Sequence, residues 1–406
     1  MDEKKPSVPK LRFPGFTDPW EQRKLGDLAS FTKGSGYSKS DIKSHGKPLI
    51  LYGSLYTDYK LAIDAVNTFA DEQIGSTFSR GGEVVVPSSG ETSEDIAVAS
   101  AVMLPGVMIG SGLNVIVPGK ELDPVFLAIS ITGGRQHRDL ARKAQGKSVV
   151  HLYNDDIAAS SIDLPALSEQ LKIRTLFLRI DSLITLHQRK LEHLREMKRG
   201  LLQKMFPRDG ESAPELRFPG FTDPWEQRKF GDMYRRAVEK NDGSFGEDKI
   251  ISVANMHFKP VRENLSKGYL QTYNVMLPGD IAFEGNRSKH FAHGRFVENT
   301  IGPGIVSHVF EVFRPTSPYE ITYWKYAINN EYVMRKILAR ATKASTMMHS
   351  LVAKDFLAEA VCVPSLREQA RIGEFFARLD SLITLHQRKL EHLQEMKKGL
   401  LQQMFV

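Results

Sequence analysis

The most regular hydrophobic pattern of the chain occurs twice, in stretches that end at Phe206 and Phe405. In the first copy the pattern advances by three or four residues and falls on Ile180, Ile184, His187, Leu191, Leu194, Met197 and Leu201. In the second copy the same steps give Leu379, Ile383, His386, Leu390, Leu393, Met396 and Leu400. Polar residues fill the other positions, which is typical of the seam of a coiled coil. About 33 residues at ~1.5 Å each predict two helices of roughly 50 Å.

Two stretches of the chain are repeated without a difference. The helical sequence DSLITLHQRKLEHL occupies Asp181–Leu194 and Asp380–Leu393, and LRFPGFTDPWEQRK occupies Leu11–Lys24 and Leu216–Lys229. The identity extends to helix positions that core packing leaves unconstrained, so two unrelated core helices are a poor explanation. The chain is therefore predicted to consist of two half-repeats, about residues 11–207 and 216–406.

Each half-repeat has the same order: a leading segment, a variable globule and a long helix. The predicted boundaries are 1–28, 29–160 and 161–206 for the first half, 207–215 for a linker, and 216–233, 234–360 and 361–406 for the second half. The Pro, Gly, Ser and acidic residues of the linker (PRDGESAPE) are typical of an exposed connection. The predicted fold class is α+β, with two mixed α/β globules and two long coiled-coil helices.

The variable globules share almost no identity but present the same order of elements. A short strand and turn is predicted at Leu51–Tyr56 in the first globule and at Ser252–His257 in the second. Strands are predicted at Val84–Val86 and Leu113–Val117 in the first globule, and at Ile281–Phe283 and Phe310–Phe313 in the second. Helices are predicted at Val125–Thr132 and Glu320–Asn329. Each globule also has a polar loop (87–95 or 284–290) and a basic segment (135–151 or 335–349). A duplicated frame with two different sets of loops favours a protein that reads two different targets at a fixed separation.

Composition narrows the class of protein. The 406 residues are 41% hydrophobic and 25% charged, as in ordinary folded proteins, and no apolar run approaches the ~18 residues that cross a bilayer. The N-terminus lacks the apolar segment of a secretory signal. The single cysteine, Cys362, excludes a disulfide framework and a cysteine-based zinc site, and it fits a reducing cytoplasm. The net charge of +7 and the pI near 9.2 favour an anionic partner.

No catalytic constellation is found in the sequence. Gly146-Lys147-Ser148 lacks the first glycine of a phosphate-binding loop, because Ala141 stands in its place. The two Asp-Pro-Trp stretches that end at Trp20 and Trp225 have one proline where the amino-methyltransferase signature has two, and structural anchoring is the favoured interpretation. For the two seam histidines, packing is favoured over a metal or pH role. The chain is therefore predicted not to be an enzyme and to hold no metal or cofactor of its own.

Loop residues that are basic or carry hydroxyl or amide groups are the best candidates for binding. Lys and Arg pair with phosphates, whereas Arg, Asn, Gln, Ser and Thr read base edges. In the first globule the candidates are Lys33, Lys39, Lys43, Ser88, Ser89, Arg135, Gln136, Arg138, Arg142, Lys143, Gln145 and Lys147. In the second they are Arg235, Arg236, Asn255, Lys259, Asn286, Arg287, Lys289, Arg340, Lys343, Ser345 and Thr346. A solvated surface charge is the alternative for any one of them, but the recurring clusters favour double-stranded DNA as a partner.

Three motifs occur twice each in the chain. They are P-x-L-x-E-Q-x-x-I at 165–173 and 364–372, a D-x-L-I-x-L helix from Asp181 and Asp380, and W-E-x-x-x-L/F-G-D from Trp20 and Trp225. Together they resemble the specificity subunit of bacterial type I restriction–modification systems, the HsdS family. The resemblance covers about residues 11–406.

The resemblance implies that the globules are target-recognition domains, each of which reads one half of a split, asymmetric DNA site. It implies that the long helices lie antiparallel as a spacer, with a pseudo-twofold relation between the halves. Two modification subunits that methylate adenine N6 with S-adenosylmethionine would dock on the frame, and restriction subunits that use ATP and Mg²⁺ would join them. The complex would act in the cytoplasm, at the nucleoid when bound to DNA, without a membrane.

Apolar residues beside the helix seam are candidate docking positions for the modification subunits. They are Leu183, Leu186, Leu202, Leu382, Leu385 and Leu401. Two alternatives stay open. An enzyme in its own right needs a cofactor or metal motif, and none is found. A coiled-coil scaffold that binds only protein leaves the two divergent, basic globules unexplained.

Overall fold

The computed structural model describes residues 8–405 except 147–148, 209, 262–264, 287, 289 and 345–348. The chain divides into two compact units. Unit 1 consists of Met1–Arg189 and Gln387–Val406, and unit 2 consists of Lys190–His386. Each unit therefore combines one variable globule with segments of both long helices.

Two helices dominate the helical content, and the others are short. The helices are α1 (Ser54–Thr57), α2 (Ser93–Ile96), α3 (Pro124–Thr132), α4 (Gly134–Lys143), α5 (Asn154–Ala158), α6 (Leu167–Lys204), α7 (Phe230–Met233), α8 (Lys267–Leu270), α9 (Ile321–Ala327), α10 (Glu331–Ala341), α11 (Ala353–Ala358) and α12 (Leu366–Met404). The long helices α6 and α12 confirm the two predicted from the hydrophobic pattern.

The strands are short and belong to several small sheets. In unit 1 they are β1 (Glu21–Lys24), β2 (Ala29–Lys33), β3 (Lys47–Ile50), β4 (Ala62–Ile63), β5 (Phe69–Ala70), β6 (Thr77–Arg80), β7 (Glu83–Pro87), β8 (Ser89–Gly90), β9 (Ser100–Val102), β10 (Pro105–Ile109), β11 (Leu113–Pro118), β12 (Val150–His151) and β13 (Ser161–Leu164). The sheet orders are β2-β11-β7-β9-β4 and β5-β3-β10-β6, with the pairs β1-β13 and β12-β8.

Unit 2 contains one larger sheet and several two-stranded pairs. Its strands are β14 (Glu226–Lys229), β15 (Tyr234–Ala237), β16 (Ile251–Ser252), β17 (His257–Phe258), β18 (Asn274–Met276), β19 (Ile281–Glu284), β20 (Arg295–Glu298), β21 (Gly304–Val306), β22 (Val312–Pro315), β23 (Thr342–Ala344), β24 (His349–Leu351) and β25 (Ala360–Val363). The order β15-β22-β19-β20 forms the larger sheet, and β14-β25, β16-β17, β18-β21 and β23-β24 form the pairs.

The central strand of each unit is buried on both faces. In β7, Val84 and Val86 pack into one hydrophobic cluster, whereas Val85 between them packs into another. In β19, Ile281 and Ala282 divide in the same way. Side chains alternate between the faces of a strand, so a run of apolar residues is stable only where both faces are covered. This explains why these two runs, which the sequence predicts as strands, contain no polar position.

The structure corrects some of the predicted elements. Residues 51–56 do not form a strand, because β3 ends at Ile50 and α1 follows at once. The strand predicted from Phe310 begins at Val312. On the long helices, Ile180, Leu191 and Leu194 are buried, but Met197 and Met396 remain 40% and 37% exposed. The seam predicted from periodicity is therefore interrupted at these methionines, because Leu201 and Leu400 beyond them pack against the hydrophobic cores.

The core of each unit is closed by the last turn of a long helix. In unit 1, Phe405 lies against Trp20 and Phe126, with ring centroids 5.9 and 5.6 Å away. In unit 2, Phe206 lies 6.2 Å from Trp225. The leading segments of both units also attach here through the backbone, since the N–H of Leu11 donates to Gln403 O and that of Leu216 to Lys204 O.

A buried Arg–Glu pair joins each leading segment to the first turn of a long helix. Arg12 donates to both carboxylate oxygens of Glu169 at 2.9 and 2.6 Å, and Arg217 donates to both of Glu368 at 2.9 and 2.7 Å. Both glutamate side chains are 2% exposed. A buried carboxylate is costly without its cation, so each pair fixes the leading segment to its helix. The negative charge also lies near the positive end of the helix dipole.

Replacement of Arg12 by Met should therefore destabilise unit 1 by about 3–5 kcal/mol, because Glu169 stays buried and unpaired. The double replacement of Arg12 by Met and Glu169 by Gln should recover most of that loss, because no buried charge remains. Hydrogen exchange along the chain measures the two units separately, and Arg217→Met should give the same result in unit 2. Equal stability of the Arg12→Met variant and the parent chain would contradict this assignment.

Candidate nucleic-acid interface

In unit 1 the polar loop and the basic segment, far apart in sequence, meet at one edge. The chain leaves β7 at Pro87 and enters β8, where Ser89 pairs with His151 of β12. The N–H of Leu152 also donates to Ser88 O, and Gln145 exchanges two backbone hydrogen bonds with His151. The loop is thereby held against the chain that follows the basic helix α4.

Unit 2 brings the corresponding segments together in the same way. The chain leaves β19 at Glu284, and the N–H of His349 donates to Gly285 O at 2.8 Å. His349 opens β24, which pairs with β23 so that Ala344 faces His349. Two loop systems with unrelated sequences therefore have the same backbone connection.

Glycine allows the close backbone approach in each unit. A Cβ on Gly146 would lie 2.0 Å from Val149 O, and the φ of +137° at this position already disfavours other residues. A Cβ on Gly285 would lie 2.0 Å from His349 O. Gly285 is therefore required by the connection itself, and Gly146 by the turn that leads to His151.

A cluster of exposed aromatic side chains surrounds this edge of unit 1. Among the described residues of the unit, the tyrosines that are at least 40% exposed are Tyr52, Tyr56 and Tyr153, at 45%, 40% and 44%. The rings of Tyr153 and exposed His151 stack with centroids 6.1 Å apart. We call these four residues the aromatic face. Its stacking rings and hydroxyls suit bases and phosphates.

Hydrogen bonds tie the aromatic face to the polar loop. The hydroxyl of Tyr56 donates to Ser89 O at 3.2 Å, and burial, followed by the charge of Asp95, raises the pKa of Tyr56 to about 12. The ring of Tyr52 packs beside Gly112, whose carbonyl accepts from the N–H of Ser88. Tyr56 therefore stays a neutral donor at physiological pH.

The basic candidates of unit 1 differ in their partners. The ammonium of Lys43 forms an ion pair with Asp71, and that of Lys143 donates to Asp156 O. Arg135 lies 3.9 and 4.0 Å from the carboxylates of Asp139 and Asp163, and Arg142 lies 3.8 Å from Asp139.

Three other cations of unit 1 form no ion pair with the residues that the structure describes: Lys33, Lys39 and Arg138. Lys33 lies over the ring of Tyr153, with Nζ 5.9 Å from the ring centroid. Lys33 therefore adds an unneutralised positive charge to the aromatic face.

Gln136 is not part of a surface, contrary to its selection as a candidate. It is 3% exposed, accepts from the Ser130 hydroxyl at 2.7 Å and donates to Ser160 Oγ at 3.4 Å. On the helix α4 it faces the core together with Leu140. We therefore remove Gln136 from the candidates, whereas Gln145 is exposed and remains.

In unit 2 the arginines are mostly paired. Arg235 bonds Glu239, and Arg236 and Arg340 form two-pronged pairs with Glu311 and Glu359. The exposed candidates are Asn255, Lys259, Asn286 and Lys343, and the amide of Asn286 donates to Glu284 Oε1 at 3.5 Å. The candidates outside the described residues are Lys147, Arg287, Lys289, Ser345 and Thr346.

The docking candidates fall into two classes. Leu183, Leu186, Leu382 and Leu385 are 44%, 60%, 46% and 46% exposed. Leu202 and Leu401 instead are half-buried and pack against the core of their own unit.

The described part of the chain contains neither a metal-binding cluster nor a membrane-spanning helix. Within it, no group of three or more His, Cys, Asp or Glu side chains is arranged to hold a metal ion. None of the described helices combines the length and the apolar character needed to span a bilayer.

Comparison with protein families gives a match within the first half of the chain. Residues 17–196 match the family model of the type I restriction modification DNA specificity domain. This similarity confirms the resemblance inferred from the repeated motifs. The matched region includes the aromatic face, the polar loop and the basic helix of unit 1.

Relatives of the whole chain agree with this result. The type I restriction enzyme MjaVIII specificity subunit of Methanocaldococcus jannaschii is 21% identical over 420 residues, which cover 96% of this chain and 92% of that protein. The crystal structure of the type I restriction-modification system S subunit from M. genitalium is 15% identical, with a TM-score of 0.62 over 98% of this chain and 99% of that one.

A further structure, from work on complex assembly and conformational transition of the type I R-M system, has a TM-score of 0.51 at 15% identity and covers 94% of this chain and 96% of that one. At these identities the structural likeness establishes the mixed α/β fold alone.

No sequence pattern points to the aromatic face. Tyr52 and Tyr56 fall in the stretch predicted as a short strand and turn, and Tyr153 follows the basic segment. Their exposure and their contacts with the polar loop arise only in the folded chain.

Replacement of Lys33 by Gln should weaken DNA binding and lower the dependence of log affinity on log salt by about 0.9, the value for one phosphate contact. Lys43→Gln is the matched control, because Asp71 already neutralises that charge. Affinity of the full-length chain for duplex DNA is measured at several salt concentrations. Equal salt slopes for the Lys33 variant and the parent would contradict a phosphate contact.

Proposed function

We propose that this chain is the DNA-recognition subunit of a type I restriction–modification complex, with each unit reading one half of a two-part site. The observation that carries the proposal is the shared backbone connection of the two units. In both, a polar loop is fixed against the segment after a basic helix, at Ser89 and His151 in one and at Gly285 and His349 in the other. The same frame thus presents two different sets of side chains.

The two half-sites should differ in sequence. Unit 1 offers the aromatic face with Lys33, whereas unit 2 offers Asn255, Lys259 and Lys343. Base edges are distinguished by the donors and acceptors that reach them, so different side chains select different bases. The target is therefore an asymmetric sequence rather than a palindrome.

The long helices would set the spacing. Within unit 1, Phe177 of α6 meets Phe405 of α12, and Asp181 pairs with Lys397, so the two segments run in opposite directions there. We infer that α6 and α12 continue this way as an antiparallel coiled coil, with a pseudo-twofold relation between the halves. Helices of 38 and 39 residues have lengths of roughly 57 Å, which exceeds the ~34–36 Å of one DNA turn.

Catalysis would belong to other subunits. We infer that two modification subunits supply S-adenosylmethionine and methylate adenine N6, and that restriction subunits with ATP and Mg²⁺ join them. This chain would then recognise the DNA sequence, without a cofactor of its own.

Methylated adenines should therefore form a single two-part, asymmetric motif in a host that expresses this chain with its modification subunit. The motif should be missing from a host that lacks the chain. Exchange of residues 29–160 for another variable globule should change one half of the motif only. Genome-wide mapping of methylated adenine measures both results.

An unchanged methylation pattern would contradict this function only if the assembled complex is present and active on bulk DNA. In that case, DNA binding by the purified complex decides the matter. Binding without any sequence preference would favour a scaffold that contacts protein alone.

The exposed leucines Leu183 and Leu382 are proposed to dock the modification subunits. They occupy equivalent places in the repeat, project from the helices beside the buried positions and are 44% and 46% exposed. Such apolar side chains on a charged helix surface are typical of the centre of a protein interface.

Replacement of both Leu183 and Leu382 by Glu should abolish co-purification of the modification subunit, because two charges would be buried in an apolar contact. Leu202 and Leu401 give no suitable control, since they pack on their cores. The exposed neighbour pair Ser182 and Ser381, changed to Glu, is the matched control and should retain more of the partner. Unchanged hydrogen exchange in the globules would show that folding is intact, and full co-purification of the leucine variant would overturn the docking assignment.

A further inference from the structure

One ion pair between the long helices recurs in both units. In unit 2, Lys198 of α6 donates to Asp380 of α12 at 2.6 Å, and in unit 1, Lys397 of α12 lies 2.6 Å from Asp181 of α6. Both aspartates open the identical DSLITLHQRKLEHL stretch. The four side chains are between 22% and 31% exposed, so the pairs are partly withdrawn from water.

Each variable globule places a tyrosine on its pair. In unit 2, Lys198 Nζ lies 5.2 Å from the ring centroid of Tyr326, whose hydroxyl donates to Asp380 Oδ2 at 2.8 Å. In unit 1, Lys397 Nζ lies 5.7 Å from the ring centroid of Tyr59. The tyrosine therefore contacts the cation in both units.

The two tyrosines are not copies of each other. Tyr59 lies between α1 and β4, early in its globule, whereas Tyr326 lies in α9, late in the other. Their environments differ too, since the Tyr59 hydroxyl donates to Ala99 O within its own globule at 3.3 Å. Unrelated residues of two divergent globules thus meet the same repeated Lys–Asp pair.

The contact is strong enough to orient a globule. A cation over an aromatic ring contributes most where water is excluded, and a hydrogen bond to a charged acceptor exceeds a neutral one. Tyr326 is only 6% exposed. Burial, and in unit 2 also the bond to Asp380, raises the pKa of both tyrosines, so both hydroxyls remain protonated.

We propose that the repeated Lys–Asp pair is a docking site for the globule, and that Tyr59 and Tyr326 are positioning residues that fix the angle of each globule on the helices. The proposal rests on the proposed function for its consequence, which is the register of the two half-sites. One added base pair between the half-sites shifts the second by ~3.4 Å and turns it by about 34–36°. A complex whose globules are held at one angle should bind the longer site weakly. A complex with a loosened globule should bind both sites with similar affinity.

The test compares two variants, each of which removes the hydroxyl of one tyrosine. Tyr326→Phe removes the hydrogen bond to Asp380. Tyr59→Phe keeps the ring over Lys397 and loses only hydrogen bonds within the globule, to Ala99 O and Thr132 Oγ1. Hydrogen exchange of the full chain, without DNA, should be faster in α9 of the Tyr326→Phe variant by about tenfold, as expected for a lost bond to a charged group. The helix segment around Asp181 should be unaffected in Tyr59→Phe.

The second measurement concerns spacing. The complex with the modification subunit is bound to duplexes carrying the mapped site with its natural spacer or with one base pair more. The Tyr326→Phe variant should retain affinity for the natural spacer and lose at least about threefold of the discrimination against the longer one. Tyr59→Phe should keep the discrimination, and Tyr59→Leu, which removes the ring, should lose it.

The outcomes distinguish a failure of the proposed function from a failure of the proposed positioning role. A parent complex without any spacer preference would overturn the two-part reading, and with it the register role. If the parent complex has a clear spacer preference and the Tyr326→Phe variant shares it in full, only the proposed positioning role of the Lys–Asp pair is overturned. Unchanged exchange in α9 of that variant would overturn the same role, whatever the DNA result.

Discussion

Each core is closed by a phenylalanine at the end of a long helix, and this constraint governs the rest of the structure. Phe405 completes the aromatic cluster around Trp20, and Phe206 completes the one around Trp225. The helix that supplies Phe206 starts beside the first globule at Leu167, yet its last turns belong to unit 2. Neither unit therefore has a complete core from its own half of the sequence. The buried Arg–Glu pairs add a second requirement, because they hold the leading segment of each half on the first turn of a helix.

These contacts explain which parts of the chain are duplicated and which vary. Every residue of the Arg–Glu pairs, the Trp–Phe contacts and the Lys–Asp pairs belongs to a repeated segment. Loss of the arginine of an Arg–Glu pair would leave a buried charge, and loss of a Trp or Phe ring would leave a cavity, each at a cost of about 3–5 kcal/mol. The loops around Ser89 and Gly285 are constrained only by their backbone connection. They can differ completely while the frame stays the same, which is the property that a protein with two separate reading surfaces requires.

The sequence predicted the frame better than the surface, for physical reasons. Periodicity identified α6 and α12, and runs of apolar residues identified β7 and β19, because burial of whole faces leaves a repeating pattern. Gln136 looked like a surface amide, but its place on the inner face of α4 depends on Ser130 and Ser160, which only folding brings near. Glu298 gave no signal either, although burial raises its pKa to about 9 and Tyr319 donates to it. Such polar contacts depend on tertiary neighbours and leave no period in the sequence.

The two long helices can pack against two different globules because the residue at a few helix positions differs between the repeats. At the start of α6, Arg174 pairs with Asp123 at the N-terminus of α3, at 2.9 Å. The corresponding position of α12 is Gly373, where a Cβ would lie 2.6 Å from the backbone of Thr322 in α9. The first globule is thus held by a charge pair, and the second by direct packing on a residue without a side chain. An arginine at 373 would push α9 away, and a glycine at 174 would leave Asp123 without its cation. A globule that packs on α6 as the second one packs on α12 would therefore need a glycine at position 174, whereas a globule with an acidic residue in the place of Asp123 keeps Arg174.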